Sequence, residues 1–71
     1  MRYDPDKITE TLAVQGRTVN WLAEQTYYDP STVSRFLNGK QPVSDQFVER
    51  AARALGVPLR LWLSTPLVEV A

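Results

Sequence analysis

The sequence of 71 residues contains no cysteine and no histidine. Without cysteine, the chain cannot form a disulfide, a thiolate zinc site or a cysteine nucleophile. Without histidine, it lacks the side chain that most often serves as a general base or a metal ligand near neutral pH. The three glycines stand apart, so no glycine-rich loop cradles a phosphate. We therefore expect no enzyme, no metal, no cofactor and no small-molecule ligand.

Long apolar runs and an excess of charge are also missing. No apolar segment approaches the ~20 residues that cross a bilayer, and the N-terminus lacks the apolar stretch of a secretory signal. We expect a cytoplasmic protein without a membrane partner. Eight basic and eight acidic residues cancel, which counts against nucleic-acid binding, because a basic domain is its usual footprint. Between Pro30 and Pro42, however, the charges are Arg35 and Lys40, with no acidic residue.

Residues that begin and end helices divide the chain into five short helical segments. An N-cap acceptor followed by proline begins the first and third segments, at Asp4-Pro5 and Asp29-Pro30. Thr18 and Ser44 can cap the second and fourth, and Pro58 begins the short fifth. The predicted helix ends lie at Gly16, Tyr27, Asn38-Gly39, Gly56 and Thr65.

These boundaries predict one all-α domain over residues 1–71, with a helical core at about 5–64 and a C-terminal tail at 65–71. The alternating pattern of the tail predicts an extended segment, with Val68 and Val70 on one side. It is too short to form a sheet alone. It could pair with the same strand of a second copy, or it could fray.

The third predicted helix has a polar and an apolar face. At about 100° per residue, Ser31, Arg35 and Asn38 fall together. The residues on the opposite side are Pro30, Val33, Phe36 and Leu37. The polar face has short side chains, one long cation and no carboxylate. Short side chains let a helix sit deep in the major groove of DNA, and an arginine can bind O6 and N7 of guanine. A polar helix face is also commonly just solvent-exposed surface, so the face alone does not decide between the two.

Two neighbouring segments suit the DNA backbone. The loop Gly39-Lys40-Gln41 adds a cation and an amide after the third helix. The start of the second helix, from Thr18 to Asn20, presents free N–H groups that can bind a phosphate. Lys40 can equally be plain surface.

The order of these parts resembles a known family. Residues 16–25, GRTVNWLAEQ, resemble the first half of the Cro/lambda-repressor type of helix-turn-helix, also called the XRE family. Residues 29–40, DPSTVSRFLNGK, are similar to its recognition helix and the "NGK" that ends it. Residues 51–57, AARALGV, resemble its fourth helix. The resemblance covers roughly residues 8–63.

The resemblance implies a five-helix lambda-repressor-like bundle, with helices two and three as the helix-turn-helix. It also implies a dimer on a pseudo-palindromic operator, with half-sites about 34–36 Å apart. The family's base-contacting positions match Pro30, Ser31 and Arg35, and the full predicted base-contacting set is Pro30, Ser31, Thr32, Ser34 and Arg35. The predicted phosphate contacts are Arg17, Thr18, Asn20, Asn38, Lys40 and Gln41.

Three residues depart from the family pattern. Val19 stands where glutamine often reaches a phosphate, so that contact is lost or passes to Asn20 or the backbone. Pro30 has no donor for a base. Tyr27 stands where the turn usually has glycine, and a left-handed conformation there would cost about 1–2 kcal/mol. Either Tyr27 is strained or the turn has another shape.

We expect a Cro-like repressor that binds double-stranded DNA as a homodimer. The shortness of the chain favours this type, since no ligand-sensing or cleavable domain is attached. Neutral charge and the aromatics Trp21, Tyr27 and Trp62 leave a second hypothesis open, a protein-binding module such as an antitoxin or an inhibitor of a host protein. The predicted dimer contacts are Leu61, Trp62, Leu63, Leu67, Val68 and Val70.

Overall fold

The computed structural model describes residues 3–64 as a succession of helices. They are α1 (Pro5–Gln15), α2 (Val19–Thr26), α3 (Pro30–Leu37), α4 (Asp45–Leu55) and a 3-10 helix (Leu59–Trp62). The prediction of an all-α fold is confirmed. The predicted fifth helix is a 3-10 turn of four residues, not an α-helix. Its hydrogen bonds join residues three apart, from the N–H of Leu61 to the Pro58 carbonyl and from the N–H of Leu63 to the Arg60 carbonyl. The predicted extended tail at 65–71 lies outside the described residues.

The four α-helices begin at the residues that the sequence predicts. Asp4 and Asp29 each accept a hydrogen bond from a backbone N–H two residues further on. Thr18 and Ser44 each accept one from the N–H three residues further on. These side chains satisfy donors that have no partner inside their own helices, so the starts of the helices are encoded locally.

Left-handed residues end three of the helices. Gly16 follows α1 with φ 68° and Gly56 follows α4 with φ 71°, as their positions predicted. Tyr27 follows α2 with φ 62° and is the one non-glycine residue of positive φ among residues 3–64. Of the two possibilities for this turn, the structure has the strained left-handed tyrosine.

A cluster of aromatic rings attaches α3 to α4. The rings of Phe36 and Phe47 lie 4.7 Å apart, and Tyr28 meets both edge-on at 5.6 and 5.5 Å. The hydroxyl of Tyr28 forms a hydrogen bond of 2.9 Å with Ser44 Oγ. Phe36 and Phe47 are buried. Because the apolar side of α3 is held in this cluster, its polar side faces away from the core.

Trp62 joins the end of the described chain to its beginning. The indole is fully buried, and its Nε1 donates a hydrogen bond of 3.0 Å to Thr11 Oγ1 on α1. The carbonyl of Trp62 accepts one of 2.7 Å from the N–H of Asp4, and Tyr3 pairs with Leu63 in an isolated antiparallel bridge. The 3-10 helix is therefore part of the core.

This packing corrects one of the predicted dimer contacts. Trp62 has no exposed surface, so the prediction that its side chain contacts a second copy is wrong. Leu61, next to it, is 50% exposed, and Leu63 is half-buried against the core. The remaining predicted contacts, Leu67, Val68 and Val70, lie outside the described residues.

Candidate nucleic-acid interface

The polar face of α3 lies on the outside of the protein. Pro30, Ser31 and Arg35 are exposed, and Thr32 and Ser34 are partly exposed. The other residues of the helix, Val33, Phe36 and Leu37, are buried. All members of the predicted base-contacting set are therefore at least partly exposed. Periodicity predicted this for Ser31 and Arg35, whereas it placed Pro30 on the opposite, apolar side.

Arg35, the one cation on α3, is held by two neighbouring side chains. Its Nε donates a hydrogen bond of 3.0 Å to Gln41 Oε1, and its Nη2 donates one of 3.3 Å to Thr32 Oγ1. In the structure, the side-chain carbonyl oxygen of Gln41, a predicted phosphate contact, accepts a hydrogen bond from the arginine. This pair could not be predicted from periodicity, because Arg35 lies on α3 and Gln41 lies six residues later in the loop that follows.

The end of α3 presents an amide and a cation. Asn38 Nδ2 donates a hydrogen bond of 3.3 Å to Ser34 Oγ. Gly39, with φ 74°, redirects the chain, and the N–H of Lys40 donates to the carbonyl of Arg35 at 3.0 Å. The side chain of Lys40 is exposed and has no hydrogen-bond partner among residues 3–64. It is available to an external anion.

The beginning of α2 presents backbone donors and a second cation. The N–H groups of Val19 and Asn20 precede the first bond within the helix, which runs from Leu22 to the Thr18 carbonyl at 3.0 Å. The guanidinium of Arg17 lies 4.4 Å from the centroid of the Trp21 ring, a cation–π distance. The predicted phosphate contacts Arg17, Thr18 and Asn20 are thus all exposed at one helix end.

The sequence that forms these helices matches a known protein family. A family model described as a helix-turn-helix domain matches residues 9–62, which include α2, α3 and α4 entirely. The chain belongs to the helix-turn-helix domain family. The domain is of the Cro/lambda-repressor type that its sequence resembles. No curated protein and no solved structure matches the chain.

Within the helix-turn-helix, α2 packs against α3 across the turn at 27–29. Val19 is partly buried against the core, so the position where the family often has glutamine serves packing here. Pro30 opens the recognition helix without a side-chain donor. The polar side chains of α3 thus begin at Ser31.

A helix-turn-helix domain of this type supports a DNA-binding regulator. Over the described residues 3–64, none of the helices has the length and apolar character that a membrane span requires.

Proposed function

We propose that this helix-turn-helix protein is a Cro-like repressor, which binds a pseudo-palindromic operator in double-stranded DNA as a homodimer. The observation that carries the proposal is the division of α3 into two sides. Val33, Phe36 and Leu37 are buried, while Ser31 and Arg35 are exposed. A helix with this arrangement can enter the major groove without disturbing the core that holds it.

The exposed residues separate into two sets of contacts. On α3, Ser31, Thr32 and Arg35 face the base edges, with Pro30 and Ser34 beside them. Arginine supplies the strongest readout, because its paired N–H groups match the two acceptors of guanine. Phosphates bind at the start of α2, through Arg17, Thr18 and Asn20, and after α3, through Asn38 and Lys40. These contacts set the register of the domain on the duplex.

The neutral charge of the chain bears on affinity rather than on the fold. Arg17 and Lys40 are the cations in the phosphate-binding set, and both are exposed. No carboxylate interrupts α3, so the phosphate field meets no repulsion from the helix itself. The proposed complex therefore depends on a local excess of positive charge and on helix N–H groups, with a salt dependence of about −0.9 in log–log slope per phosphate contact.

A homodimer follows from the proposed operator symmetry, because two copies of α3 must meet half-sites about 34–36 Å apart. We place the dimer contact at the exposed Leu61, at Leu63 and at the tail residues Leu67, Val68 and Val70. The proposed repressor acts in the cytoplasm by occupying promoter DNA. It has no catalytic role and takes no cofactor.

Selection from a pool of random double-stranded DNA tests this function. The full chain should enrich a palindromic sequence whose half-sites lie about one helical turn apart. Arg53→Ala is the matched control for Arg35→Ala, since each removes one exposed cation and only Arg35 lies on α3. The wild type and the control should enrich the same sequence. If neither enriches any sequence, or if affinity is insensitive to salt, the protein-binding alternative, an antitoxin or an inhibitor of a host protein, replaces the repressor.

A further inference from the structure

We propose that Gln41 is a positioning residue, which fixes the direction of the Arg35 guanidinium and thereby the base that Arg35 reads. This inference rests on the proposed function and assigns specificity to a residue outside the recognition helix. It differs from the predicted role of Gln41 as a phosphate contact. The geometry of the hydrogen bonds around Arg35 carries it.

A guanidinium is planar and has five N–H donors in a fixed arrangement. The Nε–H and one N–H of Nη2 lie along one edge of the plane. Gln41 Oε1 accepts from Nε at 3.0 Å and Thr32 Oγ1 accepts from Nη2 at 3.3 Å, so the two nitrogens that share this edge are the ones already engaged. Among residues 3–64, Nη1 has no acceptor and Nη2 has one acceptor for its two N–H groups. The end of the guanidinium, with parallel N–H groups on Nη1 and Nη2, can therefore still take up a contact.

The Nη1 and Nη2 end of the Arg35 guanidinium is suited to one base. Two parallel donors match O6 and N7 of guanine in the major groove, and bidentate pairing adds geometric selectivity to its energy. An arginine that already has a fixed direction also loses less side-chain freedom when it binds. Arg35 held by Gln41 is therefore prepared for an end-on contact.

The loop after α3 places Gln41 where it can hold the Arg35 guanidinium. The N–H of Gly39 donates to the Phe36 carbonyl at 3.2 Å, and the N–H of Lys40 donates to the Arg35 carbonyl at 3.0 Å. Val43, two residues after Gln41, is buried in the core. Because the loop is fastened at both ends, the Gln41 amide has a defined position beside Arg35, and it is itself partly buried.

The two roles of Gln41 predict different patterns of DNA binding. A positioning residue affects only the base pair that Arg35 reads. A phosphate contact affects every sequence by the same factor. The Gln41 Nε2 group can still donate to a phosphate while Oε1 holds the arginine, so affinity alone does not separate the roles. Discrimination between bases separates the two roles.

The experiment uses the full chain and the sequence that it selects, with symmetric substitutions at each half-site position. Gln41→Ala should lower discrimination about three- to tenfold, the effect of one hydrogen bond, at the position that Arg35→Ala also relaxes. Discrimination at the other half-site positions should not change. In the Arg35→Ala background, Gln41→Ala should have no further effect on that position. Gln41→Glu keeps the acceptor and should retain the discrimination while lowering affinity for all sequences.

A second readout needs no DNA. In the free protein, the Nε–H of Arg35 should exchange faster with solvent in Gln41→Ala than in the wild type by NMR, with the thermal unfolding curve unchanged. A uniform loss of affinity across sequences, additive with Arg35→Ala, would make Gln41 a phosphate contact and overturn the inference alone. If the wild type selects no DNA sequence, both the proposed function and the inference about Gln41 fail.

Discussion

Arg50 on α4 donates a hydrogen bond of 2.9 Å from Nη1 to the carbonyl oxygen of Thr26, the last residue of α2. The same guanidinium lies 5.4 Å from the centroid of the Tyr27 ring. Carbonyls at the C-terminal end of a helix lack partners within the helix, and a cation there is favourable for the helix dipole. Arg50 thus supports the point where α2 ends and the turn to the recognition helix begins.

Removal of this support should destabilise the domain. Arg50→Met keeps an aliphatic stem but loses the hydrogen bond, and we expect the free energy of unfolding to fall by about 1–2 kcal/mol. Arg53→Met is the control, since Arg53 is exposed on the same helix and should change stability by less than ~0.5 kcal/mol. Urea denaturation measures both. Equal losses would show that Arg50 contributes only general surface charge.

Tyr27 is a source of backbone strain in the helix-turn-helix. Its φ is 62° and its side chain is 84% exposed, so burial does not offset the strain. At this position Gly should be more stable than Ala by about 1 kcal/mol, the reverse of their usual order in helices. Comparison of Tyr27→Gly with Tyr27→Ala isolates the backbone term, because both variants lack the ring. Thermal unfolding of the two variants measures the difference, and an Ala variant as stable as the Gly variant would argue against strain.

The helix boundaries could be predicted because the chain encodes them locally. Asp4 and Asp29 precede prolines, and Gly16 and Gly56 take the left-handed conformation that ends a helix. The outward face of α3 followed from periodicity alone, because one side of a short helix must be buried.

The contacts between distant parts of the chain could not be predicted in the same way. The pairing of Tyr3 with Leu63 and the bond from Trp62 to Thr11 join residues far apart in sequence. An apolar pattern does not show whether Trp62 turns inward or toward a partner, and Arg35 meets Gln41 only because of the loop between them. Such contacts depend on tertiary geometry rather than on local preference.

Trp62 should be a determinant of stability. Trp62→Phe removes the hydrogen bond to Thr11 Oγ1 and part of a fully buried side chain, and we expect a loss of about 1–3 kcal/mol in the free energy of unfolding. Leu61→Ala, at a half-exposed neighbour, should cost less than ~1 kcal/mol. Chemical denaturation at a single protein concentration compares them. A larger loss for Leu61→Ala than for Trp62→Phe would contradict the assignment of Trp62 to the core.

The proposed dimer contact can be tested apart from stability. Leu61→Asp places a charge on the proposed interface, and deletion of residues 66–71 removes the tail. Each change should shift the protein toward the monomer in sedimentation velocity measurements over a range of concentrations. Gln25→Glu, an exposed substitution on α2, adds the same charge elsewhere and should leave the distribution as it is. An unchanged dimer after the deletion would show that the tail is not part of the interface.

Arg35 and Lys40 should affect DNA binding in different ways, although both are exposed cations near the end of α3. Arg35→Ala should cost about 1–3 kcal/mol on the preferred sequence and relax specificity at one base position per half-site, because a bidentate contact to guanine is lost. Lys40→Ala should weaken all sequences alike and reduce the log–log salt slope by about 1 per subunit.

Affinity for the selected operator and for single-base variants, measured at several salt concentrations, separates the two effects. The comparison is matched, because each substitution removes one positive charge. If Arg35→Ala weakened every sequence equally, its guanidinium would touch only phosphates. Arg35 would then hold the protein on DNA without reading it, and sequence recognition would have to come from Ser31 and Thr32 or from the shape of the duplex.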